Sequence, residues 1–238
     1  VSDQTTSRRG RLRAQTSGEI KAIALELMAD GGPDAISLRA IARRMGMTAG
    51  AIYSYFPTRD DLVTTLIGDV YGALVRAAET ARDAVPADDP GGRIVAWAQT
   101  VREWALANPE GFRLIYGDPV PGYRAPEDGP ARDAEHRACA GLTGLVAAAW
   151  SRAEPLQPDV HRYTWDDFDP GLVAHLRAEF PELPSAAVAL TLRVWGRMHG
   201  LVALEIYGHL HTLIREPAAV YRDEMTDLVR SLGLTPPS

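Results

Sequence analysis

The sequence holds a single cysteine, Cys139, so no internal disulfide can form and cysteine usage implies no oxidising compartment. No apolar run approaches the roughly 20 residues that span a bilayer. The stretch from Ser2 to Arg13 is polar and basic where a secretory signal would carry an apolar region. Strand-like alternation is scarce, and neither an internal repeat nor a long low-complexity tract is present. The signals of catalysis are equally thin: there is no glycine-rich phosphate loop, no nucleophile–base spacing and no paired carboxylates. His209 and His211, with His199 and Glu205 nearby, suggest a metal site at first sight. On a helix the first two point roughly 200° apart and do not converge unless the helix ends between them, so no metal is expected. What is left is a soluble cytoplasmic protein with no implied cofactor.

What is present reads as a helical globular chain with an uneven charge. Hydrophobic residues make up 46% and charged residues 24%, enough apolar material for a substantial core. The net charge of −6 hides a division. Residues 1–60 carry nine Lys or Arg against six acids, whereas the remainder carries 16 against 25. DNA affinity depends on where cations face phosphate rather than on whole-chain charge, so a basic head on an acidic body is compatible with duplex binding.

The first helix is expected to begin at Thr16, which with Glu19 forms a capping-box pattern. Ile20, Ile23, Ala24, Leu27 and Met28 form its apolar stripe, and Gly31-Gly32-Pro33 ends it. Ser37 suits the N-cap of a second helix, Leu38–Met45, buried through Leu38, Ile41, Ala42 and Met45. Gly46 breaks that helix, Thr48 caps the next, and Ala51, Ile52, Tyr55 and Phe56 give a third apolar face. A tight two-helix corner needs a small residue at the contact, a glycine in the turn and an apolar lock on the second helix. Ala42, Gly46 and Ile52 supply these at offsets of four and six. Such a corner can place the second helix in the major groove while the first crosses the backbone. Three short core helices of an unrelated bundle would share much of this spacing.

The run Gly50-Ala51-Ile52-Tyr53-Ser54-Tyr55-Phe56-Pro57-Thr58-Arg59-Asp60-Asp61-Leu62 resembles the end of the TetR-family DNA-binding domain. Leu38 to Met47 resembles that family's second helix equally well, and the likeness is sharp over residues 16–65. The resemblance implies an all-α fold: an N-terminal three-helix helix-turn-helix domain over residues 16–60, behind a basic arm over 1–15. A helical bundle over 61–238 then binds ligand and forms a homodimer. It implies that Ser37 and Thr48 meet phosphates, that Tyr53 touches a base edge or phosphate, and that Arg59 contacts phosphate. Tyr55 is either a phosphate donor or partly core, and Phe56 packs under helix one. One departure stands out. Where many relatives carry a lysine near the start of the recognition helix, this chain has Ala49, then Gly50 and Ala51. Base readout is then expected to lean on Thr48, Tyr53, Arg39 and close backbone approach at Gly50. Arg8, Arg9, Arg11 and Arg13 either enter the minor groove or form a solvated tail.

Beyond residue 65 the periodicity predicts a long helix over 61–85, then helices over 92–107, 109–116, 131–152 and 170–180. Two proline-rich connections, Gly117–Gly129 and Glu154–Pro170, interrupt them. The segment Trp195-Gly196-Arg197-Met198-His199-Gly200-Leu201 resembles the C-terminal domain of a TetR subgroup named for its Trp, His and Gly. That resemblance implies that a helix over 190–209 and a last helix over 218–232 pair with a second copy. Trp195, Gly196, His199, Gly200, Leu204, Tyr221 and Met225 are the expected interface. Trp97, Trp104, Phe112, Tyr116 and Trp150 are the aromatics that can line an apolar effector pocket, although such stripes also serve as plain core. The expected function is a sequence-specific transcriptional regulator, a repressor released from a palindromic operator by a small molecule. A helical ligand-binding module or enzyme without DNA function is the competing class, and steeply salt-dependent duplex binding separates the two.

Overall fold

The computed structural model describes residues 2–126, 128–157 and 162–237, with side chains from Arg8 onward. Among them ten α-helices and no strands occur. They are α1 Ser2–Gly31, α2 Leu38–Met45, α3 Ala49–Tyr53, α4 Arg59–Asp83, α5 Pro90–Ala107, α6 Pro109–Tyr116, α7 Pro130–Ala153, α8 Pro170–Glu179, α9 Ser185–Ile206 and α10 Pro217–Ser231. Proline opens five of these helices, where its missing N–H is not needed and its fixed φ already suits the helix. Asp169 caps α8 by accepting from the N–H groups of Gly171 and Leu172. At α4, Thr58 and Asp61 form a reciprocal capping box, each accepting from the other's backbone N–H at 3.0 Å.

The start of α1 differs from the expected Thr16. The helix runs back to Ser2, so Thr16 lies mid-helix and Gln15 donates along one face to Glu19. Arg8 to Gln15 holds no proline and is rich in strong helix formers, so only Gly10 opposes extension. The basic segment is therefore the exposed first turns of α1.

The chain forms two compact units, Val1–Val70 with Asn108–Arg132, and Tyr71–Ala107 with Asp133–Ser238. These bounds differ from the expected division at residue 60, because α6 and the connection after it pack with the head. In the first unit Ile20, Ala24 and Met28 of α1 are buried with Ile41 and Ala42 of α2, Ile52 of α3, and Leu62 and Leu66 of α4. Phe112 of α6 and Val120 join the same core. Tyr123 bonds Thr64 at 3.0 Å, so the proline-rich segment after α6 is anchored rather than loose.

The core of the second unit is built from Ile94 and Trp97 of α5, Leu145 and Val146 of α7, Val194 and Met198 of α9, and Leu228 and Val229 of α10. The Tyr221 hydroxyl, on α10, donates to the carbonyl of Ala98 at 2.9 Å, which satisfies a phenol that would otherwise be stranded in the core. Arg102 of α5 grips Glu205 of α9 through two bonds of 2.9 and 2.6 Å, with both side chains about nine-tenths buried. A buried pair of this kind fixes how two helices meet more surely than it adds net stability.

Candidate functional site

The α2–α3 corner has the geometry that its sequence implied. Gly46 adopts φ +64° at the end of α2, and the Met47 N–H returns to the Ala42 carbonyl at 2.9 Å. An L-residue with a Cβ at Gly46 would sit in the left-handed region at about 1–2 kcal/mol. Thr48 then caps α3, its hydroxyl oxygen accepting from the Ala51 N–H. Ile52 is completely buried and locks the angle, a burial that contributes about 1.5–3 kcal/mol. The opposite side of α3 is open: Thr48, Ala49 and Gly50 are exposed, and Tyr53 is 43% exposed. No heavy atom lies within 4 Å of where a Cβ on Gly50 would sit, so the backbone there is open to close approach.

Around this helix the expected DNA-binding residues take different positions. Ser37 stands at the N-cap of α2 with extended backbone, and its hydroxyl makes no capping bond. Arg39 and Arg43 are exposed on α2, and among the described residues neither joins an ion pair. Arg44 instead turns to α1, 3.2 Å from Glu26 and 3.5 Å from Asp30. Tyr55 is half-buried beneath the Arg13 guanidinium, and Phe56 is buried in the head.

Arg59, expected at a phosphate, is engaged within its own chain. Its guanidinium donates to three backbone carbonyls, of Ile36 at 2.9 Å, Pro33 at 3.1 Å and Pro121 at 2.9 Å. It ties the turn before α2 and the segment after α6 to the first turn of α4. A rigid five-donor fork suits this task, and the donors so used are turned toward protein.

The expected dimer surface divides in two. On α9, Leu192, Trp195 and Leu204 are exposed, with Tyr207 just past its end, and Trp195 is 43% exposed. His199 lies against Trp195 at 5.4 Å between ring centroids. Gly196 and Gly200 have nothing within 4 Å of an added Cβ, so this stripe of large and small apolar residues is uncovered in the protomer. Leu192 and Tyr207 were not expected there, although the three- and four-residue spacing from Trp195 to His199 continues to both. Tyr221 and Met225, by contrast, are 1% and 2% exposed inside their own chain. Residues already buried against α5 and α9 have no surface left for a second copy.

The five aromatics expected to line a pocket do not meet as one wall. Phe112 and Tyr116 pack ring to ring at 5.1 Å in the first unit, while Trp97, Trp104 and Trp150 belong to the second. The second unit contains a cavity of about 550 Å³ that none of the five lines. Its apolar side is Ala140, Gly141, Gly144 and Leu145 of α7 with Phe180, and its rim is charged. Trp97 stands behind Gly141, where a Cβ would come within 2.5 Å of the indole. At the rim Arg137 pairs with Glu79, and Asp83 accepts from Arg82 and Arg93. The Arg82 hydrogen bond, helped by the charge of both arginines, holds the Asp83 carboxyl below its ordinary range. No sequence signal pointed to this rim, because its members come from α4, α5, α7 and α8 and meet only through packing. Among the described residues no group of three or more His, Cys, Asp or Glu is placed to hold a metal. No described helix is long and apolar enough to cross a membrane.

An exposed short helix locked behind a glycine corner, at the head of an all-helical chain, is the geometry of the helix-turn-helix regulators. Residues 20–66 match the model of the bacterial regulatory proteins of the tetR family, and residues 94–228 match the tetracyclin repressor-like C-terminal domain. The chain belongs to the TetR family of DNA-binding transcriptional regulators. It is 33% identical over 225 residues to the HTH-type transcriptional regulator Rv1816 of Mycobacterium tuberculosis, covering 93% of this chain and 94% of that one. The HTH-type transcriptional regulator Mb1846 of Mycobacterium bovis matches to the same extent. Among solved structures, the regulatory protein SCO4313 superposes with a TM-score of 0.72 at 33% identity, covering 93% of this chain and 98% of that one. A tetR-family regulatory protein from Rhodococcus RHA1 gives 0.62 at 18% identity over 92% of this chain and 97% of that one, a likeness of fold alone.

Proposed function

We propose that this chain acts as a homodimeric repressor that sets α3 of each protomer into the major groove of a near-palindromic operator. The observation that carries the reading is the open face of α3, with Thr48, Ala49, Gly50 and Tyr53 exposed while Ile52 is locked into the core. In this reading the Ser37 and Thr48 hydroxyls meet phosphates and Tyr53 reaches a base edge or phosphate. Arg39 adds charge, and Gly50 lets the backbone approach closely. The uncovered stripe of α9 supports self-association, with Trp195, Gly196, His199, Gly200 and Leu204 facing the same residues of the second copy. Two-fold symmetry then sets the half-sites about 34 Å, one helical turn, apart.

The effector enters the helical C-terminal bundle. The cavity there, apolar on its α7 side and rimmed by guanidinium–carboxylate pairs, suits an amphipathic molecule with a polar group at the mouth, not a plain hydrocarbon. Selection of bound duplexes from a random library at near-physiological salt tests the proposal. Enrichment of a near-palindrome is the expected outcome. Failure to enrich any sequence, before and after unfolding and refolding to strip bound ligand, would overturn it.

A further inference from the structure

The recognition helix is only five residues long, too short to hold its shape by its own hydrogen bonds. Its N-terminus is held by Thr48 and its inner face by Ile52. Past its C-terminus, the carbonyls of Ala51 and Ile52 accept from Ser54, Tyr55 and Phe56 within the same turn. The Ser54 carbonyl is held from outside, by Arg13, whose guanidinium donates to it at 2.7 Å across 41 residues of sequence. The same guanidinium lies over the Tyr55 ring, 4.8 Å from its centroid. One planar cation from the first turns of α1 thus grips the backbone and the aromatic side chain that follow the reading face.

We propose that Arg13 is a positioning residue for operator recognition: it fixes the C-terminal end of α3 and the Tyr55 ring, and thereby sets how the open face of α3 is presented. This rests on the reading of α3 as the recognition helix. It separates Arg13 from Arg9, which lies one helical turn away on the same face of α1 and, among the described residues, makes neither contact. The role needs the guanidinium and not merely its charge. A planar fork can stack on a ring and donate sideways to a carbonyl together, whereas an ammonium cannot do both.

The test uses the full-length dimer, a duplex selected by the wild type from a random library, and a random-sequence duplex. Arg13→Ala and Arg13→Lys are both expected to weaken the selected duplex about tenfold. The slope of log affinity against log salt and the affinity for random duplex stay at wild-type values. A direct phosphate contact would behave differently. Arg13→Lys would then bind like the wild type, and Arg13→Ala would lower the salt slope by about 0.9 for both duplexes. That result overturns the proposal, as does wild-type binding by Arg13→Ala. A DNA-free measurement keeps the two readings distinguishable. Amide hydrogen exchange at Tyr55 and Phe56 is expected to quicken in Arg13→Ala, and unchanged exchange refutes the clamp whether or not a duplex is found. A wild type that selects no duplex defeats the DNA reading but leaves the exchange test standing.

Discussion

Replacing Arg59 with methionine keeps the aliphatic stem and removes the guanidinium that reaches Ile36, Pro33 and Pro121. A hydrogen bond to a charged group contributes about 1.5–3 kcal/mol when shielded. The bonds to Ile36 and Pro33 are partly buried and fall at the low end of that range, whereas the bond to Pro121 is exposed and adds little. The loss then comes to about 3 kcal/mol. For a chain of this size that lowers the melting temperature by about 6–12 °C. Thermal unfolding followed by circular dichroism measures it, and Arg59→Lys should fall nearly as far, since one ammonium cannot span three carbonyls. A phosphate-contacting Arg59 would give the opposite pattern. An unchanged melting temperature together with a salt slope reduced by about 0.9 would refute the structural argument.

Three further outcomes follow from the same geometry. Gly50→Ala meets no neighbouring atom and has ordinary helical φ, so it should raise stability by about 0.5–1 kcal/mol while weakening duplex binding; equal affinity for the selected duplex would remove close backbone approach from the mechanism. Trp195→Glu puts a charge into the uncovered α9 stripe and should shift sedimentation from dimer toward monomer, with little change in monomer helicity by circular dichroism. His199 is held below its ordinary 6.5 by burial beside Trp195. The unfolded chain therefore takes up the proton first, and the contribution of His199, complete above that pH, is lost as pH falls toward the depressed folded value. Stability and self-association should both decline over that interval, and a His199→Gln variant with the same pH profile would show that another group is responsible.

The reading head was largely legible because its signals are local. Gly46 takes a positive φ, Thr48 bonds within its own helix turn, and the Ala42 and Ile52 spacing follows from helical geometry alone. Ambiguity began where a helix had no break. Thr16 and Glu19 form a plausible cap only if the chain before them is not helical, and nothing in Arg8 to Gln15 stops a helix. The open stripe on α9 could be extended to Leu192 and Tyr207 from spacing alone, because which face of a helix is apolar is written in its sequence.

What the sequence by itself determined was the helical class and the helix-turn-helix corner, set by periodicity, capping and turn chemistry within a few residues, and the family, through the resemblance carried by Leu38–Met47 and Gly50–Leu62. What only the tertiary structure decided was where long side chains went. Arg59 turned to three carbonyls, Arg13 to Ser54 and Tyr55, and Arg44 to α1. Both α9 and α10 carry apolar residues at helical spacing, yet Tyr221 and Met225 face inward and Trp195 outward. The cavity rim likewise joins Glu79 of α4 to Arg137 of α7. A flexible arginine reaches several ångströms in any direction, and an apolar stripe fits a core or a partner equally well. Their destinations depend on which elements pack beside them, and that is fixed by contacts dozens of residues apart.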